Sequence, residues 1–242
     1  MSAPNYWVIV PAAGTGQRFG AELAKQFHCI GDRLVADHTL GRLLKIPKVK
    51  KILVPCDISS ECWTQVSAIE DSRVELIAGG TERVHSVLKG LQALSNLAAS
   101  EDWVLVHDMA RPCVTSADIN KLINQLDGHL VGGILATPIS DTLKKIQAEK
   151  TTSGIAIQQT LDRSDYRGAQ TPQMFRYGLL VRALETMLQA QQMPTDEASA
   201  IEFIGEQAMI VEGRRDNIKI THREDLIIAQ AIMGYQETEQ CA

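Results

Sequence analysis

No apolar run in this 242-residue chain approaches the roughly 20 residues that cross a bilayer. Basic charge is also short. Twenty-four Lys and Arg stand against 29 Asp and Glu, a net charge of −5, so no global field exists to hold nucleic acid or an anionic membrane. An anionic substrate must therefore meet a few cations placed locally. The five cysteines, Cys29, Cys56, Cys62, Cys113 and Cys241, are odd in number, scattered and without a CxxC pair. That excludes a disulfide framework and gives a zinc site no support, and it leads us to expect reduced thiols in a cytoplasmic protein. His28, His38, His85, His107, His129 and His222 show no HxH or HExxH spacing, and none is assigned a metal or catalytic role. The start, MSAPNYWVIVPAAG, reads as entering a strand almost at once, so we expect no signal or transit peptide. Internal repeats and low-complexity tracts are missing too.

What is present is ordinary globular composition, 45% apolar and 22% charged, on a chain long enough for a large core. We expect a single domain over residues 1–242. Short apolar runs at Tyr6–Val10, Lys51–Pro55, Val74–Ala78, Trp103–His107 and Val131–Thr137 read as buried strands. Between them Val84, Val87, Leu88, Leu91, Leu94 and Leu97 fall on one helix face, as do Ile119, Leu122, Ile123 and Leu126 behind a Thr115/Asp118 capping box. Leu34–Leu44 and Ser59–Glu70 are weaker helix expectations. Later, Leu179–Leu188 and Thr195–Gly205 read as helices, and Met209–Glu212 and Asn217–Ile220 as strands. A final helix begins at Thr221 with Glu224 closing its cap. Alternation of this kind means an α/β fold with a mostly parallel sheet. The pattern breaks over residues 140–166, which are polar and hairpin-like with a tip near Glu149–Gly154. An isolated hairpin is not stable alone, so this stretch reads as an arm that docks on something.

The strand VIVP runs into AAGTGQRFG and then AELAKQF. Gly14 and Gly16 permit a tight turn that brings backbone N–H groups against a phosphate. The dinucleotide fingerprint fails because Gly20 comes one residue late, and the P-loop fails because no GK[ST] follows. What remains is Gly-x-Gly-x-Arg18 with Lys25 beyond it. Two readings stand: a cradle for a triphosphate whose charge is neutralised as a P–O bond breaks, or a glycine-rich turn beside two solvated cations.

The stretch PAAGTGQRFG…KQF resembles the signature of the sugar-nucleotidyltransferase superfamily. GGTERVHSVLKGL (79–91), VHDMARP (106–112), ATPISDTLKK (136–145), AQTPQMF (169–175), TDEAS (195–199) and DNIKIT (216–221) follow in order. Together they resemble the 2-C-methyl-D-erythritol 4-phosphate cytidylyltransferase family of non-mevalonate isoprenoid synthesis, over nearly the whole chain. The resemblance implies a Rossmann-like three-layer fold with a protruding β-hairpin arm. It implies a reaction of CTP with a polyol phosphate, using Mg²⁺, and a homodimer whose arms are exchanged. Two alternatives are a ribitol 5-phosphate cytidylyltransferase and a nucleotide-binding regulator without catalysis.

By resemblance, Ala12, Ala13, Gly14, Thr15 and Gly16 wrap CTP, and Arg18 and Lys25 stabilise the transition state at the α-phosphate. Gly80, Thr81 and Ser86 recognise cytosine and ribose, although Ser86 also reads as a plain first-turn helix serine. Asp108 falls at the carboxyl end of a strand, where open α/β folds bind ligands, and is implied to hold the metal. Its bland alternative is a helix cap or a partner for Arg111. Met109 forms the nucleotide wall in place of a smaller residue. Arg163 and Lys219 are implied to hold the polyol phosphate, with Thr142 and Thr195 lining the same pocket; a solvated arginine and an exposed edge lysine are the alternatives. Asp196 and Glu197 read as acids placed at a helix N-terminus. Where the family has Pro-Lys-Gln, this chain has Ala24-Lys25-Gln26, and Arg223 replaces another common proline.

Overall fold

Alternate residues of β1 (Tyr6–Ile9) enter two different cores. Tyr6 and Val8 pack on one side with Leu40, Leu43, Ile119 and Leu122, whereas Trp7 and Ile9 pack on the other with Val87, Leu91, Leu180 and Ile201. A strand buried on both faces reads as a continuous apolar run, which is why VIV was so visible. The computed structural model describes residues 4–14, 19, 23–151 and 154–241.

The chain runs through β1, a small hairpin of β2 (Cys29–Ile30) and β3 (Arg33–Leu34), α1 (Val35–Leu43), β4 (Val49–Cys56), β5 (Val74–Ala78) and α2 (Arg83–Ala93). It continues through β6 (Trp103–Val106), α3 (Ser116–Leu126), β7 (Gly132–Pro138), β8 (Lys144–Thr151), β9 (Gly154–Thr160) and β10 (Arg167–Arg176). It ends in α4 (Tyr177–Gln189), α5 (Glu197–Phe203), β11 (Met209–Glu212) and α6 (Asp225–Cys241). Seven strands form one sheet in the order β11-β7-β10-β6-β1-β4-β5. Only β10 is antiparallel to its neighbours. Helices α1 and α3 cover one face, and α2, α4 and α5 cover the other. This is the expected three-layer α/β architecture. From β1 the chain proceeds outward to β4 and β5, then returns to lay β6 on the opposite side of β1. Such a reversal opens a crevice at the carboxyl ends of the two strands.

Thr115 caps α3 as expected, its hydroxyl accepting from the Asp118 amide at 3.1 Å. Four expectations are corrected. Ser59–Glu70 is not an α-helix but two 3₁₀ turns, Glu61–Gln65 and Ser67–Glu70. Trp63 and Val66 are buried and Ile69 is half-buried, a spacing of three that matches the 3₁₀ period rather than 3.6. Asn217–Ile220 is a pinned loop, not a strand. Its Ile220 amide donates to Ala110 and its Asn217 side chain to Thr171, with no ladder between. The last helix begins at Asp225, whose carboxylate accepts from the Thr221 and His222 amides, so Asp225 rather than Glu224 closes the turn. The fourth correction is an omission: β10, a ten-residue strand inside the main sheet, escaped the sequence reading.

The arm is a hairpin, as expected. β8 and β9 pair antiparallel in a sheet of their own, and residues 152–153 of its tip lie outside the described residues. Its Ile146, Ile155 and Ile157 are exposed.

Candidate active site

The loops that leave β1, β5 and β6 converge on a cleft of about 660 Å³ at the β1/β6 reversal. The first loop contributes Ala12, Ala13 and Gly14, with Gln26 Nε2 donating to the Ala12 carbonyl at 3.1 Å. Thr15, Gly16 and Arg18 lie outside the described residues. Lys25 opens a 3₁₀ turn and donates from Nζ to the Ile220 carbonyl at 2.9 Å, joining the first loop to the pinned 217–220 loop. Ala24 before it has φ −62° and ψ 141°, a proline-like backbone.

On the second loop Gly80 is obligatory. A Cβ there would lie 2.4 Å from the Cβ of His85. The Gly80 amide donates to Ser86 Oγ at 3.0 Å, so the buried Ser86 hydroxyl ties the loop to the first turn of α2 and still has its own proton to give. Thr81 stands at the rim against His85. Met109 is buried in the wall, its carbonyl held by Thr39 Oγ1 at 2.8 Å.

Asp108 sits at the floor, and three cations surround it. Arg83 Nε lies 3.0 Å from Oδ1, while Lys219 Nζ and Arg111 Nε lie 2.7 and 3.8 Å from Oδ2. Burial pushes its pKa up, but Arg83 and Lys219 outweigh that and hold the carboxyl far below the usual carboxylate range. The bland pairing with Arg111 is thus the weakest of the three contacts. Behind Asp108 a hydrogen-bond chain fixes the loop. Its amide donates to Thr171 Oγ1 at 3.1 Å, and that hydroxyl faces His107 Nδ1 at 2.9 Å. With the hydroxyl donating to Nδ1, Nε2 carries the proton to the Arg111 carbonyl, 3.1 Å away. Burial drives the His107 pKa down to about 4, so the ring is neutral and structural.

Sequence reasoning missed Arg83. Its guanidinium bridges Asp108 and Glu197, donating from Nη1 to Glu197 Oε1 at 2.6 Å and from Nη2 to Oε2 at 3.1 Å. A signal was there to find: an arginine in the first turn of α2 opposes the helix dipole and needs an anionic partner. Glu197, read as a helix-terminus acid, turns out to be buried and bidentate. Thr142, Arg163 and Thr195 do not line the cleft of the single chain. Arg163 is exposed and donates to the Ser140 carbonyl at the neck of the arm, while Thr195 precedes the Asp196 cap of α5.

Three cations, Arg83, Arg111 and Lys219, therefore crowd Asp108, Arg83 also grips Glu197, and Lys25 lines the same cleft, in a chain whose net charge is −5. Among the described residues no group of three His, Cys, Asp or Glu side chains could hold a metal by itself. Asp108 is one ionised carboxylate on an open cleft. That donor set fits Mg²⁺, which takes one or two carboxylates and fills its remaining positions with water and phosphate oxygens.

A cationic, glycine-walled cleft at the reversal of a doubly wound sheet is the organisation of a nucleotidyltransferase. The family model of 2-C-methyl-D-erythritol 4-phosphate cytidylyltransferase, IspD, matches residues 6–235, and the chain belongs to that family. It is 45% identical over 223 residues to a protein of that name from Ectopseudomonas mendocina, covering 92% of this chain and 93% of the relative. It is 42% identical over 233 residues to one from Hahella chejuensis, covering 96% and 95%. A crystal structure of 4-diphosphocytidyl-2C-methyl-D-erythritol synthase superposes with a TM-score of 0.81 at 33% identity, covering 96% of this chain and 100% of that one.

Proposed function

We propose that this protein transfers CMP from CTP to 2-C-methyl-D-erythritol 4-phosphate, giving 4-diphosphocytidyl-2-C-methyl-D-erythritol and pyrophosphate in isoprenoid precursor biosynthesis. The observation that carries the reading is the cation cluster on Asp108 in a nucleotide-sized cleft that Lys25 also lines, in a chain of this family. A phosphate oxygen of the polyol attacks the α-phosphorus of CTP. A new P–O bond forms, the bond to the bridging oxygen breaks, and pyrophosphate leaves with the electron pair. The attacking group is already an anion, so no protein nucleophile or base is required, and positioning and charge neutralisation supply the catalysis.

Lys25 and Arg18 meet the charge that grows at the α-phosphate. The Gly80 turn, Thr81 and Ser86 seat the base and ribose, and Ala12 to Gly16 wrap the phosphates against the Met109 wall. Asp108 would hold Mg²⁺, which when bound neutralises phosphate charge and favours departure of pyrophosphate. Lys219 receives the phosphate of the polyol. Arg163, Thr142 and Thr195 complete that pocket in a homodimer, the arm at 140–166 crossing to the partner while the remaining chain acts as one catalytic domain. The exposed Ile146, Ile155 and Ile157 of the arm support an interface there. No helix among the described residues is long and apolar enough to cross a membrane. Scattered free thiols support a cytoplasmic setting.

A pyrophosphate-release assay with CTP, UTP and ATP against 2-C-methyl-D-erythritol 4-phosphate and ribitol 5-phosphate tests the reading. Turnover should be highest for CTP with the erythritol phosphate. Preference for ribitol 5-phosphate, or no release with any pair, would refute it.

A further inference from the structure

We infer that Glu197 is a positioning residue of this reaction, acting through Arg83 to hold Asp108 in place; the inference rests on the function proposed above. Glu197 is almost completely buried, with 1% of its surface exposed, at the start of α5. Both its oxygens are taken by the two terminal nitrogens of Arg83. The remaining nitrogen of that guanidinium, Nε, donates to Asp108 Oδ1. A guanidinium offers five N–H donors in one rigid plane. Three of them go to two carboxylates on different elements, which fixes the plane relative to both. Asp108 thereby keeps Oδ1 on Arg83 and turns Oδ2 toward Lys219.

The arrangement answers a competition. A triphosphate entering the cleft offers Arg83 oxygens with more charge than one carboxylate carries, and planar forks bind phosphate well. Arginine held only by Asp108 would swing onto the phosphates and take the Asp108 orientation with it. The bidentate grip of Glu197 from the far side keeps it on the floor. Glu197 is itself held indirectly. Gln173 bonds the Asp196 carboxylate at 2.8 Å and accepts from the Ala198 amide at 2.9 Å, locking the first turn of α5 onto β10.

The test uses steady-state kinetics of full-length Glu197→Gln, Arg83→Gln and the double variant, each checked for folding by its melting curve. Glu197→Gln keeps the volume and loses the charge. It should lower kcat by tenfold to a hundredfold, the scale of a misplaced catalytic group, with KM for CTP within threefold of the parent. The double variant should be no worse than Arg83→Gln alone, since one residue works through the other. Losses that multiply in the double variant, or a kcat within twofold of the parent in Glu197→Gln, would overturn the inference. Should Glu197→Gln fail to fold, Glu197→Asp keeps the charge and shortens the reach. Its kcat should fall at least threefold at unchanged KM for CTP, and an unchanged kcat overturns the inference. A parent without cytidylyl transfer would instead remove the proposed function, and this role with it.

Discussion

Lys25 spends a side-chain hydrogen bond on the Ile220 carbonyl, a bond worth about 1 kcal/mol. Lys25→Ala should therefore melt within a few degrees of the parent while kcat falls on the order of 10²–10³, because a preorganised donor to the developing charge is gone. Near-normal turnover at saturating CTP would reject that assignment. Its neighbour Ala24 already has the backbone of proline, and among the described residues its amide has no hydrogen-bond acceptor to lose. Ala24→Pro should stabilise by about 0.4–1 kcal/mol through the unfolded chain, read as a raised melting temperature; a marked fall would contradict it. His107 sets the response to acid. Its folded pKa, pushed down to about 4 by burial, lies below the unfolded value near 6.5, so the unfolded chain binds the proton first. Stability is then complete above about pH 6.5 and drains away toward pH 4, by about 3 kcal/mol in all. Asp108 adds a loss of the same sign below its unfolded pKa, near pH 4. Denaturant midpoints at pH 7 and pH 4.5 should differ in the parent and converge in His107→Gln.

At the scale of elements, Gly80 couples the second loop to α2. Gly80→Ala would drive a Cβ into His85, shift the helix start and carry Ser86 and Arg83 with it. We expect a loss of tenfold or more in kcat/KM and a destabilisation of about 1–3 kcal/mol, measured by kinetics and denaturation. The doubly buried parallel strands and the amphipathic helices α2 and α3 were legible because burial on both faces, or on one face at helical spacing, writes itself into the order of apolar residues. β10 was not. Pro172 argues against an inner strand, and the β7 ladder does break between Ala169 and Gln173. Only Met174 and Phe175 enter the cores, and the middle of the strand is polar because its side chains make hydrogen bonds instead: Thr171 to His107, Gln173 to Asp196, Gln170 to the Arg214 carbonyl. In the site, Lys25, Asp108, Ser86 and Lys219 came from motifs. Arg83 and Glu197 lay inside those same motifs, but their pairing spans 114 residues and only folding brings it about.

For the whole molecule, the arm exchange proposed above makes a quantitative claim. Lys25→Ala and Arg163→Ala homodimers should each be inactive. Co-expressed, half the dimers are mixed by random pairing, and each mixed dimer has one site with both wild-type residues. Activity should recover to about a quarter of the parent. Recovery near zero in mixed dimers verified by mass, or a monomeric parent, would refute the exchange.

The place of β10 in the sheet also has a consequence during synthesis. β6 is entirely apolar and buried, with β1 on one side and β10 on the other. About 60 residues separate the end of β6 from the start of β10, and they include α3, β7 and the whole arm. A ribosome adding 5–20 residues per second takes roughly 3–12 s to cover that distance. Throughout that interval β1, β4, β5 and β6 can form a four-stranded parallel sheet whose β6 edge is bare, apolar and open to any passing strand. The nascent chain thus passes through a timed window of vulnerability, and it closes only when the strand that carries Thr171 and Gln173 to the catalytic floor slots into the gap. Sealing the sheet and completing the site are one event.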